Sequence, residues 1–374
     1  MAKITFYPLG NADCCLIDFD SNRKMLVDYA HCREGENEED LRIDLFKALH
    51  ENLDESEKDF FDVVSFSHAD EDHVRGSSEF FYFEHAKEYQ NDDRIKIKEL
   101  WVPAALILEK NLKNDAKVIR SEARYRLKQG EGIRVFSRPK KLEEWLNEEG
   151  LSLEDRQHLI TDAGNLAPDF TKISDSAEVF IHSPFAFRDG DQLQDRNEGS
   201  LVFQVTFFVD NQATKFILGA DTTYDAWTDI VNITRNHGRD HRLIWAIFKL
   251  PHHCSYTALS NEKGEEKTEP VKEVKWLFEQ GENRGIIVST SNPIPEDDED
   301  DQPPHRQAAN YYKECIDQID GEFKVTMEHP KESKPEPLII LIDSNGATIK
   351  KQIGGAVAFV TSRSAPRAGL YYGY

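Results

Sequence analysis

The 374-residue sequence predicts an α/β fold in which two sheets are covered by helices, and three observations carry that prediction. Short apolar runs parted by turn residues open the chain. Helix and strand patterns alternate after Tyr224, and several apolar runs end in loops of acids and histidines. An apolar content of 39% supports a sizeable core. No stretch reaches the roughly 18 consecutive apolar residues of a membrane span.

Residues 4–7, 14–19 and 24–28 read as three short strands of a meander, separated by turns at 10–13 and 20–23. Apolar positions at Leu41, Ile43, Leu45, Phe46 and Leu49 predict a helix, which leads into a buried strand at 61–67. From about 79 to 168 the chain is charged and mostly helical, with one strand expected at 95–102. This segment reads as a helical elaboration within a single domain spanning 1–350. Strands return at 177–182, 200–208 and 214–218. Helices at 224–235, 271–280 and 306–319 then alternate with strands at 243–250 and 285–290, and strands at 323–326 and 338–342 close the domain. Residues 351–374 carry no core pattern and read as a tail that could dock a protein partner.

The chemistry is concentrated in His68-Ala69-Asp70-Glu71-Asp72-His73, just past the buried strand. Its spacing lets His68 and Asp70 face one point while Asp72 and His73 turn to another. Two neighbouring metal positions, roughly 3.5–4 Å apart as in two-metal hydrolases, are therefore expected. Asp221 and the pair His252-His253 end two further apolar runs, where side chains from distant parts of the chain can converge. Imidazole suits zinc, iron or manganese, and carboxylates shift a site towards harder ions.

Composition narrows the alternatives. Five cysteines without a CxxC pair indicate neither a disulfide framework nor a zinc ribbon. With no leader pattern at Met1 to Pro8, a cytoplasmic location is the default expectation. Cys254 adjoins two histidines, but a nucleophilic role would need a stabilised thiolate. A net charge of −23 argues against a broad basic grip on duplex nucleic acid, although a bound dication can still hold a phosphate on an acidic protein. The acidic run 296–301 reads as a solvated loop.

A set of motifs in the right order resembles the metallo-β-lactamase-fold hydrolases, and specifically the soluble hydrolase domain of the ComEC DNA-uptake family. Ser67 to His73 resembles that family's SHxDxDH. Gly10-Asn11-Ala12-Asp13 and Val27-Asp28 resemble its GxGD and LvDxG, Asn197 to Val202 its NxxSLV, Gly219-Ala220-Asp221 its GD, and His252 to Ser255 its HHGS. The resemblance implies an αββα sandwich binding one or two divalent ions, with zinc as the first expectation and manganese as the second. It places His68 and Asp70 on one ion, Asp72, His73 and His253 on the other, and Asp221 between them. Asp72 would also orient the attacking hydroxide, and His252 would contact a phosphate or protonate the leaving oxygen; the roles of His252 and His253 are open to exchange. Asn197, Ser255 and His305 are candidate substrate contacts, His305 also reading as a helix-entry residue.

Three departures stand out: Ala12 replaces a glycine, Ala220 is inserted before Asp221, and Cys254 replaces the glycine of HHGS. The function expected is a stand-alone phosphodiesterase or nuclease acting on nucleic acid or a nucleotide. Two alternatives are a hydrolase of thioesters, amides or lactones, and an inactive binding or scaffold module on the same fold.

Overall fold

A computed structural model describes residues 1–351 apart from 36, 38, 187–196, 211 and 298–300. The first sheet contains β1 (Ala2–Phe6), β2 (Cys15–Asp18), β3 (Lys24–Val27), β4 (Phe60–Ser65), β5 (Lys96–Pro103), β6 (Ile133–Phe136) and β7 (Ile160–Thr161). The second contains β8 (Ala177–Ser183), β9 (Val202–Val209), β10 (Gln212–Leu218), β11 (Trp245–Lys249), β12 (Gly281–Ser289) and β13 (Glu322–Val325). The chain then returns to the first sheet with β14 (Leu338–Asp343) and β15 (Gly346–Ile349), giving the orders β15-β14-β1-β2-β3-β4-β5-β6-β7 and β13-β12-β11-β10-β9-β8. Each sheet is mixed. Antiparallel pairs run from β15 to β3 and from β8 to β10, and parallel pairs run from β3 to β7 and from β10 to β13.

Burial follows from this layering. Ile4, Phe6, Val27 and Trp101 of the first sheet pack against Val179, Phe203, Phe216 and Ile247 of the second, with the Phe6 and Phe216 rings 5.9 Å apart edge to face. The outer face of the first sheet (Leu26, Val64, Leu100) is covered by helices Leu45–Asp54, Asn114–Gln129 and Lys140–Glu148. The outer face of the second (Ile217, Phe248, Ile287) is covered by Tyr224–Asn236, Lys272–Phe278 and Arg306–Asp317. The result is an αββα sandwich. With apolar layers on both faces, β4 is buried along nearly its whole length, which is why it reads as a mostly apolar run despite Asp62.

The differences from the sequence reading have local causes. The first helix starts at Leu45 rather than near Leu41, because the Asp44 side chain accepts from Lys47 N–H at 3.1 Å and caps it there. Between 79 and 168 the helices enclose three strands instead of one. β6 and β7, four and two residues long, are too short to display a period of two, yet both extend the parallel part of the first sheet. β15 was also not anticipated. Among the described residues no helix is long and apolar enough to cross a membrane. The expected docking tail, apart from Lys351, lies outside the described residues, as do residues 298–300 of the acidic loop.

Candidate metal centre

The candidate ligands sit beyond the C-terminal ends of parallel strands, where loops from both sheets meet. Asp28 follows β3, the run His68 to His73 follows β4, Asp221 follows β10, and His252-His253 follow β11. Asp70 leaves the strand in extended backbone at φ −78° and Glu71–Val74 turns into one short helix, so His73 swings back towards the sheet.

The geometry gathers the residues that the sequence singled out. His68 Nε2 lies 3.6 Å from Asp70 Oδ2, and the His68 and His73 rings are 4.0 Å apart. His73 Nε2 lies 3.2 Å from Asp221 Oδ1 and 3.8 Å from Asp72 Oδ2. His253 Nε2 lies 2.9 Å from Asp72 Oδ2 and 3.6 Å from Asp221 Oδ2.

Each of these imidazoles is oriented from behind through Nδ1. His73 Nδ1 is 2.8 Å from Asp28 Oδ2, and His253 Nδ1 is 2.7 Å from the Thr290 carbonyl. Ser67 Oγ donates to Asp28 at 2.7 Å, so the 3.0 Å contact with His68 is a bond donated by His68 Nδ1–H. In the neutral form all three tautomers therefore leave the Nε2 lone pair facing the centre, the arrangement that metal-binding histidines need.

These groups fit a metal ion. Among the described residues, His68 Nε2, His73 Nε2, Asp13 Oδ1 and Asp221 Oδ1 are buried polar atoms without a well-formed hydrogen bond. Such atoms cost about 1–3 kcal/mol each when nothing satisfies them. Asp13, His73, Asp221 and His253 each offer a ligand atom within 4.8 Å of the others.

The electrostatics match. Burial pulls His73 down, but the carboxylates of Asp221, Asp28 and Asp72 outweigh it and hold its pKa well above the ordinary value. His253 is likewise raised, burial being overcome by Asp221 and Asp72. His68, where burial and the neighbouring His73 act together, is lowered. Burial works against ionised Asp221, yet His73 and His253 keep it well below the carboxylate range.

The remaining candidates occupy different positions. The partly buried ring of His252 is centred 6.4 Å from that of His253, and its Nδ1 is 3.4 Å from the Thr257 hydroxyl, so His253 is the one of the pair within the ligand cluster. Asn197 opens the turn Asn197–Gly199, which is tied to the metal loop where Leu201 N–H donates to the Ser67 carbonyl at 2.9 Å. Ser255 is buried; its hydroxyl contacts that of Thr257 at 2.9 Å and caps the following turn. His305 is buried at the entry of Arg306–Asp317, with Nδ1 accepting from Tyr256 N–H and Nε2 donating to the Asp301 carbonyl, so both ring nitrogens hold backbone.

Cys254 is fully buried in the apolar layer with Trp245, Phe248 and Tyr312. Burial pushes its thiol well up, which removes the nucleophilic reading. The motifs at Asp13 and Asp28 gave no hint of their contacts, and Lys249 was not singled out at all. Lys249 is buried at the end of β11, where its ammonium bonds the Asp13 carboxylate and, at 3.3 Å, the Ala220 carbonyl. Only the apolar company of a lone lysine in Phe248-Lys249-Leu250 could have marked it.

Asp28, Ala220, His252, His253 and Cys254 all adopt φ between +46° and +65°. Left-handed backbone at non-glycine residues costs energy, and its concentration in the loops of one site is typical of functional centres.

No family model matches this sequence, and no curated protein does. Distant likenesses exist among solved structures. Unliganded yeast PDE1 shares 10% identity at a TM-score of 0.42, covering 87% of this chain and 96% of its own. A diphosphatase of the PhnP family shares 8% at 0.33, covering 87% and 94%. The class B3 di-zinc metallo-β-lactamase LRA-12 from an Alaskan soil metagenome shares 10% at 0.29, covering 84% and 91%. Sheet order, layering and the buried Asp/His cluster define the class of this chain: an αββα sandwich with a buried cluster of Asp and His that could hold a metal ion.

Proposed function

We propose that this protein is a metal-dependent hydrolase that cleaves phosphodiester bonds in a nucleic acid or nucleotide. The observation that carries the reading is the convergence of His73 and His253 on Asp72 and Asp221, with the His68 ring packed 4.0 Å from that of His73 and all three imidazoles oriented from behind through Nδ1. His68 and Asp70 would hold one divalent ion, Asp72, His73 and His253 a second, and Asp221 would lie between. Bound there, such an ion supplies a Lewis acid and lowers the pKa of water towards about 7.

The chain's own groups do the rest. Asp72 both touches the buried histidines and lines a cleft of about 600 Å³, a size suited to a small ligand. Its carboxylate, held ionised against burial by His73 and His253, can therefore orient an attacking water. Arg42 and Arg75 line the same cleft. Arg42 is engaged by Asp40 at 2.7 and 2.8 Å, whereas Arg75, among the described residues, makes a surface pair with Glu71 at 3.2 Å and can turn its fork to a phosphate. That favours phosphorus over carbonyl substrates. His252, beside the ligand histidine and partly exposed, is placed to protonate a leaving oxygen. The resemblance to the ComEC hydrolase domain supports a nucleic-acid or nucleotide substrate, and the net charge of −23 favours single strands or small nucleotides over duplex.

The test is a substrate panel with manganese or zinc: bis-p-nitrophenyl phosphate, single-stranded DNA, cyclic nucleotides and a chromogenic lactam. Hydrolysis of a phosphodiester that is lost in Asp72→Ala is the expected result. Turnover of the lactam alone would overturn the proposal.

A further inference from the structure

The buried ion pair between Asp13 and Lys249 joins residues 236 positions apart in sequence. It touches three ligand-bearing loops. Asp13 N–H donates to the Asp72 carbonyl at 3.0 Å, and Asp13 Oδ2 lies 3.6 Å from His73 Nδ1. The Lys249 ammonium reaches the Ala220 carbonyl, which also accepts His252 N–H at 3.1 Å, so one oxygen connects the Asp221 loop to the histidine turn. Both side chains are almost completely buried, at 4% and 2% exposure, so neither charge is screened by water.

Resting on the metal-centre reading above, we propose that Lys249 is a positioning residue that serves as a fixed internal cation and limits the charge left for divalent ions to bind. Asp13, Asp28, Asp70, Asp72 and Asp221 bring five negative charges around the histidines, which are neutral as ligands. Lys249 cancels one, and the four that remain equal the charge of two divalent ions. The pairing also keeps one oxygen of Asp13 occupied and leaves this carboxylate a single unpartnered oxygen to offer an ion.

A purely architectural clasp and a charge-setting cation give different results. If Lys249 sets the charge, Lys249→Met makes the centre more negative and frees Asp13, so metal affinity rises. Asp13→Asn makes the centre less negative, so affinity falls. The pair Asp13→Asn/Lys249→Met restores the balance and returns close to the wild-type value, in keeping with the near-neutral replacement of many buried ion pairs by uncharged groups. A clasp would lower affinity in both single variants.

The experiment is titration of manganese and of zinc into chelator-stripped, folded protein, followed by calorimetry, with metal content counted by elemental analysis and melting recorded without metal. Opposite shifts of about tenfold or more are expected for the two single variants, since one unit charge at this range is strongly felt by a dication. Shifts in the same direction, or none, overturn the proposal. Should Lys249→Met fail to fold, Asp13→Asn and the paired variant decide: weaker binding in the first with recovery in the second supports it, and any other pattern rejects it. Wild-type protein that binds no divalent ion would instead sink the metal-centre reading itself.

Discussion

Asp28→Asn isolates how much of the centre depends on a residue that lies behind the ligands. Asp28 accepts Ser67 N–H and Ser67 Oγ–H, each at 2.7 Å, and His73 Nδ1–H at 2.8 Å, while only 1% exposed. Asparagine keeps the volume and tolerates the left-handed backbone at φ +58°, so the loop path survives. Its carbonyl can still serve Ser67 N–H. Its amide group, however, presents a donor where two donors already point. His73 escapes that conflict only by moving its proton to Nε2, which removes the lone pair offered to the metal. Losing bonds to a charged acceptor at about 1.5–3 kcal/mol each, less what the amide recovers, gives a stability loss of roughly 2–4 kcal/mol. Outer hydrogen-bond partners of this kind typically contribute about 10–100-fold to metal affinity. Chelator-stripped melting reads the first number and metal titration the second. A folded Asp28→Asn protein with wild-type metal affinity would refute the tautomer argument.

Three further outcomes follow from the same geometry. His253→Ala should cost about 100-fold or more in metal affinity, whereas His252→Ala should keep the metal and lower turnover on the phosphodiester; elemental analysis beside kinetics separates them, and equal metal loss in both would contradict the placement. In the metal-free protein the raised pKa values of His73 and His253, set by burial against the opposing pull of Asp221 and its neighbours, contribute stability that is complete below the unfolded histidine value of about 6.5. That contribution is lost as pH climbs through the higher folded values, so the chelator-stripped protein should melt at lower temperature on the alkaline side. Metal binding strengthens over the same interval and should release protons near pH 7, detectable by calorimetry in buffers of different ionisation enthalpy. Binding without proton release would count against these assignments.

Much of this was legible in the sequence because parallel strands buried on both faces write themselves as apolar runs, and the loop after such a run is where function concentrates. His68 to His73, Asp221 and His253 were readable for that reason. Asp28 and Asp13 were visible only as letters in short motifs, since a carboxylate behind an imidazole looks no different from one on a turn. The partner of Lys249 was unreadable: it is 236 positions away, and only the packing of one sheet on the other brings the end of β11 beside the turn that precedes β2. The short strands β6, β7 and β15 were lost because two to four residues carry no period. Cys254 adjoins two histidines in sequence, yet in the fold, with backbone φ at +65°, it lies in the apolar layer with Tyr312, a placement that adjacency alone does not reveal.

That cysteine has a consequence for how the histidine turn behaves. A glycine at this position would accept the left-handed geometry without cost and leave the turn free to swivel about it. Cysteine accepts a penalty of about 1–2 kcal/mol for the backbone and recovers part of it by sinking its sulfur into a dry seam. The neighbouring imidazole is thereby bolted to the sandwich rather than hung from a hinge, so the ring that meets an incoming ion is already in place before the ion arrives.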